Sequence, residues 1–324
     1  MRLMINCPDI SLVVPAYNEE IVLPEFMVRA RAALEATGLS WEIILADDGS
    51  TDSTAEVIRA YRQQDSRIGL VSLSRNFGKE IAMTAGMDHA KGRAVVVIDA
   101  DLQDPPEVIA DLVACWKEGY DVVYARRTAR EGETRLKRLT AHMFYRVINM
   151  LADQPIPADV GDFRLMSRRA VDAVSQLRER HRFMKGLFSW IGFRQTEVPY
   201  ARAPRAAGRT KWDYWRLWNF SIEGITSFSI GPLQFASYFG FIIAVFAAIY
   251  GIFIIGQTVL MGNPVPGYPS LLVIVLFLGG VQLLTLGIIG EYVGRIFNET
   301  KRRPLYLLAE SLPASHAESH SDET

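Results

Sequence analysis

The stretch VVVIDADLQDPPEVI, Val95–Ile109, changes character halfway along. Val95–Ile98 is an unbroken apolar run, the pattern of a strand buried on both faces. It then meets three carboxylates, Asp99, Asp101 and Asp104, and a Pro-Pro pair suited to the first turn of a helix. A buried strand has no structural need to finish among acids. These residues therefore mark the place to look for a charged ligand.

Similar transitions lie on either side. ISLVVPAYNEE (10–20) is apolar and ends in a Pro/Asn turn, before a helical stretch to about Ala36. WEIILADDGSTD (41–52) closes in a turn whose Ser50, Thr51 or Asp52 can cap the next helix. IGLVSLSRNFG (68–78) is a third strand, AVVVIDADLQDPPE a fourth, and YDVVYARR (120–127) a fifth. Strands separated by helices of about ten or more residues predict an α/β domain, with a parallel sheet covered on both faces.

In open α/β sheets, ligands bind outside the carboxyl ends of the strands. YNEE, DDGSTD and DADLQD would then meet on one edge. One acidic turn alone reads as a solvated β-turn; three at equivalent strand ends do not. Asp99 and Asp101 can face one cation if the chain kinks as it leaves the strand. Hard oxygen ligands with open positions suit Mg²⁺ or Mn²⁺ bridging phosphates. There is no His/Cys cluster for zinc. There is also no G-x-x-x-x-G-K-[ST] loop and no G-x-G-x-x-G, which argues against P-loop phosphoryl chemistry and dinucleotide oxidoreduction. The reading that remains is a nucleotide diphosphate whose leaving group needs a metal.

Lys and Arg total 35 against 36 Asp and Glu, a net charge of −1 that gives no hint of a nucleic-acid partner. Cys7 and Cys115 are too few for a disulfide framework and fit a reducing compartment. Met1–Pro15 has no long apolar stretch before a cleavage site, so no signal peptide is expected. Charge is dense up to Glu223 and then absent, His included, from Gly224 to Gly290. Within that span, Leu233–Leu260 and Ser270–Gly290 are each long enough to cross a bilayer, which needs about 20 residues. The alternative, a buried hairpin in a soluble core, sits poorly with helices uncharged on every face. Basic residues flank the pair on both outer sides and none lies in MGNPVPGYP between them. Both termini are thus expected in the cytoplasm. The segment after Pro313 reads as a polar, disordered tail.

VVPAYNEE, DDGSTD, SRNFGKE, DADLQDPPE and VGDFRLMSRR together resemble family 2 glycosyltransferases of the GT-A fold. More narrowly, they are similar to polyprenyl-phosphate glycosyltransferases such as the dolichol-phosphate mannosyltransferases. RFMKGLFSWIG, AGRTKW, LWNFSIEGITSFS, GNPVPGYPSLLV and LFLGGVQLLTLGIIGEYVGRI resemble bactoprenol (undecaprenyl-phosphate) glucosyltransferases. The likeness covers nearly the whole chain apart from the tail. It implies a cytoplasmic GT-A (Rossmann-like) domain over residues 1–210 and an interfacial amphipathic helix over 211–230. A two-helix membrane hairpin over 231–293 and a cytoplasmic tail over 294–324 follow. The implied reaction is inverting transfer of a hexose, glucose from UDP-glucose, to undecaprenyl phosphate at the bacterial inner membrane, for O-antigen or envelope glycosylation. Mannose, galactose, N-acetylhexosamine or an aminoarabinose derivative stay open as the sugar. The family also implies Mg²⁺ or Mn²⁺ and a homo-oligomer, a tetramer.

Carried over residue by residue, Pro15, Ala16, Tyr17, Asn18, Glu19, Asp47 and Asp48 hold the nucleoside, although Asp48 has an equal claim to a turn role. Asp99, Ala100 and Asp101 continue the nucleotide-sugar site, and Asp99, Asp101 and Gln103 match the metal positions. Asp104 reads as a helix-start residue. Asp162 matches the residue usually cast as catalytic base, with Arg164 beside it; Asp101 shares the catalytic role. A phosphate monoester is already largely ionised near neutrality, its second pKa being about 6, so Asp162 can orient rather than deprotonate. An anionic acceptor approaching an anionic donor needs basic groups. Arg126, Arg127, Arg130, Lys137, Arg202, Arg205, Arg209 and Lys211 are candidates, each of which also reads as headgroup-facing surface, and the resemblance adds Arg164 to the lipid-phosphate set. Trp215, Trp218, Ile222 and Ile225 follow helical spacing, as an interfacial anchor or as a core-facing stripe. A processive polysaccharide synthase would carry Q-x-x-R-W, which is absent. A non-catalytic scaffold or lipid translocator is a further alternative, against which the intact Asp99, Asp101 and Asp162 count.

Overall fold

The computed structural model describes residues 7–128, 160–180, 182, 184–201, 231–261 and 267–315. The elements up to the fourth helix are β1 (Ile10–Ala16), α1 (Leu23–Ala36), β2 (Trp41–Asp47), α2 (Thr54–Gln64), β3 (Ile68–Leu73), α3 (Lys79–His89), β4 (Ala94–Val97) and α4 (Ile109–Lys117). Then come β5 (Val122–Arg127), β6 (Val160–Ser167), α5 (Arg168–Gln176), α6 (Met184–Trp190) and β7 (Gln195–Tyr200). Two long helices, α7 (Gly231–Met261) and α8 (Tyr268–Thr300), precede a final strand, β8 (Leu308–Leu312).

All five strands read from the apolar runs are present. They read as solid apolar blocks because both faces are covered. In β1, Leu12 and Val14 pack with Phe26, Leu34 and Leu112 on one side. Val13 packs with Ala82, Met83 and Val97 on the other. α1 buries Leu23, Phe26, Met27, Ala30, Ala33 and Leu34, the three-and-four spacing of one helical face, and opens with a proline and Glu25 in its first turn. α3 lies close against β1 because Gly86 has no side chain: a Cβ there would fall 2.4 Å from Val13 Cγ1. That approach fixes where the first residue of α3 emerges.

The sheet has eight strands in the order β7-β5-β6-β4-β1-β2-β3-β8. The expected parallel sheet is corrected to a mixed one. β4, β1, β2 and β3 are parallel, but β6 runs antiparallel between β4 and β5, and β8 runs antiparallel to β3. Neither strand shows a long apolar run in the sequence. VGDFRLMS mixes charge with apolar residues, and LAESL sits at a half-exposed edge.

β8 also corrects the expectation for the C-terminal segment. The chain returns from α8 and adds this strand to the free edge of β3, with Leu70 opposite Leu312 and Ser72 opposite Glu310. Ala314, expected in the disordered tail, is buried, and the Ser315 amide donates to the Ser66 carbonyl at 2.8 Å. α7 and α8 contrast with all of this: they are long, apolar and almost entirely uncovered. α8 continues for almost three turns past the apolar block, into Glu291, Arg295 and Glu299. There the Arg180 amide donates to Glu299 Oε1 at 2.7 Å, and the Tyr306 hydroxyl donates to Asp88 at 2.8 Å, tying the helix to the domain.

Candidate active site

The parallel strands all end on one edge of the sheet, where the turns after β1, β2, β3 and β4 meet. The first two lock together by hydrogen bonds. Asn18, in the left-handed region at φ 56°, receives a bond from the Thr51 amide at 2.9 Å and donates its own amide to Ser50 Oγ at 3.0 Å. The Glu19 amide donates to Thr54 Oγ1 at 2.9 Å. Gly49 has φ +66°, and a Cβ on it would lie 2.4 Å from the Arg75 carbonyl carbon, so only glycine lets this turn sit against the one after β3. Pro15 and Ala16 lie buried at the end of β1, and Tyr17 stands half-exposed beside them.

Asp47 and Asp48 are committed to the protein. Asp47 accepts from Ser72 Oγ at 2.8 Å and from the Ser50 amide at 3.1 Å. Asp48 accepts from the Phe77 and Gly78 amides at 2.7 and 2.9 Å and so positions the loop leading into α3. Burial raises its pKa, against the pull of those two amides. Of the two roles open to Asp48, the turn role is the one with visible partners.

β6 completes the site from the opposite direction. Being antiparallel, it begins where its neighbours end. Val97 of β4 faces Arg164, so two residues further along each strand bring Asp99 to Asp162. Two carboxylates opposed across a strand pair repel. The compensating cation is Lys79, the first residue of α3. Its Nζ donates to Asp99 Oδ2 at 2.7 Å and to Asp162 Oδ2 at 2.5 Å. Burial pushes the Asp162 carboxyl up, but Lys79 and Lys185 outweigh it and hold the group well below the usual carboxylate range. Burial works against the Lys79 ammonium too, yet Asp162 and Asp99 hold it well above the ordinary lysine value. Asp99 is raised by burial and by the neighbouring Asp162 charge. Next to Lys79, burial and the Asp162 charge push the Glu80 carboxyl up to about 8. One buried oxygen on each of Glu80 and Asp162 has no hydrogen-bond partner.

Asp101 accepts from the Gln103 amide at 3.1 Å across a turn whose Leu102 is left-handed at φ 59° with its side chain buried. This backbone form is costly for leucine. The turn holds it, with Leu102 buried and the Asp101 carboxylate bonded to the Gln103 amide. Asp99, Asp101 and Gln103 supply only oxygen donors on the protein side, chemically suited to Mg²⁺ or Mn²⁺. No group of three His, Cys, Asp or Glu able to hold a metal occurs among the described residues. An ion here would therefore complete its shell with water and substrate phosphate, as Mg²⁺ commonly does.

One expectation is corrected, and two arginines meet partners inside the protein. Asp104 is no helix-start group: it is buried and accepts from Tyr200 Oη and from Arg127 Nη2, the latter at 3.3 Å. Arg127 makes a further bond to Tyr200 Oη at 3.0 Å. Arg164 is only 4% exposed. Its guanidinium lies 3.9 Å over the Phe188 ring and donates to the Gly161 carbonyl at 2.8 Å. Burial pulls its pKa down to about 10, so it stays charged but turned inward. Arg126 remains exposed, paired with Glu197 at 3.2 Å. Arg130, Lys137, Arg202, Arg205, Arg209, Lys211 and the 211–230 helix lie outside the described residues. Lys79, Glu80 and Lys185 went unselected in the sequence. The available signal was a Gly-Lys pair opening a helix on the ligand edge, where the helix N-terminus disfavours a cation unless anions sit over it.

Proteins of related sequence show the family. The family model for glycosyl transferase family 2 matches residues 11–175, from β1 to the end of α5. An uncharacterized glycosyltransferase of Synechocystis sp. is 53% identical over 302 residues, 93% of this chain and 95% of the relative. The SfII prophage-derived bactoprenol glucosyl transferase of Shigella flexneri is 49% identical over 302 residues, 93% and 98% of the two chains. The prophage bactoprenol glucosyl transferase homolog of Escherichia coli is 48% identical over 299 residues, 92% and 98%. The mixed sheet is the GT-A-like α/β fold of nucleotide-sugar transferases, and the chain belongs to glycosyl transferase family 2.

Proposed function

We propose that this chain transfers a hexose, glucose from UDP-glucose, to undecaprenyl phosphate at the cytoplasmic face of a bacterial inner membrane. The product is a β-linked polyprenyl-phosphate sugar for O-antigen or envelope glycosylation. The observation that carries the reading is the pairing of Asp99 with Asp162 through Lys79 on the ligand edge, in a chain that also exposes two long apolar helices. A bilayer covers such helices at no cost in unpaired backbone groups. The similarity to bactoprenol glucosyl transferases over more than nine-tenths of the chain supports a polyprenyl-phosphate acceptor. Both termini lie in the cytoplasm in this reading, with 211–230 at the interface and the basic residues of 126–137 and 202–211 near lipid phosphate. A homo-tetramer belongs to the same proposal.

The nucleoside lies over the locked turns of Pro15–Glu19 and Asp47–Asp48. Asp99, Asp101 and Gln103 would hold a Mg²⁺ or Mn²⁺ ion, which when bound neutralises charge on the departing diphosphate. Asp162 is held ionised below the ordinary range, which makes it a weak base at neutral pH. The acceptor phosphate, with a second pKa of about 6, arrives largely deprotonated. Asp162 therefore acts by orienting the acceptor and by steadying positive charge at the anomeric carbon. A single attack on an α-linked donor inverts it.

The test incubates purified full-length protein in lipid with undecaprenyl phosphate and radiolabelled UDP-glucose, alongside a panel of other nucleotide sugars. Label should enter the organic-extractable lipid as the β anomer, should be abolished by EDTA, and should return with Mg²⁺ or Mn²⁺. No lipid labelling from any donor sinks the acceptor assignment, an α product sinks inversion, and full activity after exhaustive chelation sinks the metal site.

A further inference from the structure

Lys79 lies where the two halves of the reaction meet. One carboxylate it touches belongs to the turn after β4, the other to the start of β6. Its side chain is 44% exposed, whereas Asp99 and Asp162 are 25% and 12% exposed. Part of the Lys79 side chain thus opens to the outside, while its ammonium sits between the two carboxylates, where burial works against its charge. It also stands on the first residue of α3, an 11-residue helix whose N-terminal dipole favours anions.

The chemistry needs a cation here. Donor diphosphate and acceptor phosphate must both enter an edge that carries Asp99, Asp101, Asp162 and Glu80. Arg127 is held by Asp104 and Tyr200. Arg164 and Lys185 act on Asp162 by charge, with the Arg164 guanidinium bonded to backbone carbonyls and stacked on Phe188. Among the described residues, Lys79 is the cation that donates to both Asp99 and Asp162. A lysine ammonium carries three donors on a flexible stem, so it can exchange one carboxylate for a phosphate oxygen and keep the other. We propose that Lys79 is a phosphate-binding group of the active site, releasing a carboxylate to take an oxygen of the donor diphosphate or of the acceptor phosphate. The proposal rests on the reading of this site as one that joins a nucleotide sugar to a lipid phosphate.

The test uses the full-length protein in lipid nanodiscs, with Lys79→Met and Lys79→Arg. Affinity for UDP and for uridine, each with Mg²⁺, is measured by calorimetry, and KM for undecaprenyl phosphate by transfer. A charge-assisted contact predicts a loss of about tenfold or more. If the donor supplies the oxygen, Lys79→Met weakens UDP by that factor and leaves uridine within about twofold. If the acceptor supplies it, UDP holds and KM for undecaprenyl phosphate rises by that factor. Lys79→Arg should recover most of either loss. The proposal is overturned if UDP affinity and KM both stay within about twofold, whatever happens to kcat. It is equally overturned if UDP and uridine weaken together as the melting temperature falls, which is the signature of a structural role. Wild-type protein that binds UDP but never labels undecaprenyl phosphate fails the functional reading instead, and the UDP–uridine comparison then still judges Lys79.

Discussion

Asp162 and Glu80 show how neighbours set the behaviour of chemically similar groups. Burial raises both and Lys79 and Lys185 lower both; the lysines win at Asp162, which stays ionised, while at Glu80 burial and the Asp162 charge win and raise it to about 8. Asp162→Asn should slow transfer by about 10²–10³-fold, the usual consequence of removing one preorganised electrostatic group. Its residual rate should still follow acceptor ionisation near pH ~6. A pH–rate series at saturating donor checks this; a mutant rate that climbs with hydroxide well above that pH would make Asp162 a true general base. Glu80 gives a stability prediction with a definite sign. Its carboxyl has an ordinary value of 4.5 when unfolded and about 8 when folded, so the folded protein holds the proton more tightly across that window. The stability linked to Glu80 is complete below the unfolded value and is lost as pH rises through the folded one. Melting curves from about pH 5 to 8.5 should show the wild type losing ground steadily to Glu80→Gln. A constant gap between the two would mean that Glu80 carries no extra proton.

At the scale of elements, β8 matters more than its five residues suggest. Without it, β3 is an open edge with unpaired amides and carbonyls, the kind of edge that recruits other chains. The Arg59–Glu310 pair across this contact is partly exposed, so Arg59→Ala should cost less than about 1 kcal/mol. Ending the chain after Pro304 removes the whole ladder, from the Ser74–Leu307 bond to the Ser315–Ser66 bond. That truncation should lower the melting temperature far more than Arg59→Ala and increase aggregation on size-exclusion chromatography. If the truncated and full-length proteins melt together, β8 is decoration.

For the whole molecule, β8 changes how the α/β domain can be separated from the two long apolar helices. A chain stopped after Ser221 keeps the nucleotide edge but loses the edge strand. One in which residues 202–306 are replaced by a flexible linker, so that 307–315 still reaches β3, keeps both. The second should be soluble and bind UDP like the full-length protein, yet transfer poorly to undecaprenyl phosphate in vesicles. On the proposed function, the bilayer and the helices supply the acceptor at high effective concentration, which the shortened protein lacks. Equal rates on vesicles for the shortened and full-length proteins would remove the anchoring role of α7 and α8.

Much of this was determined by local sequence. The apolar runs of β1–β5, the acids at their ends and the charge-free span after Glu223 follow from burial, which acts on each segment wherever the chain later goes. The direction of β6, the return of β8 and the facing of Asp99 by Asp162 depend on partners far along the chain, and no local period encodes them. Asp104 shows the difference in one residue. Next to Pro105 it reads as a helix start, and only the arrival of Tyr200, 96 positions later, turns it into a buried tie. Lys79 shows it again: in sequence it is a basic residue opening a helix, and tertiary structure makes it the cation between two carboxylates, because strands from distant parts of the chain leave their acids opposed and unpaired without it.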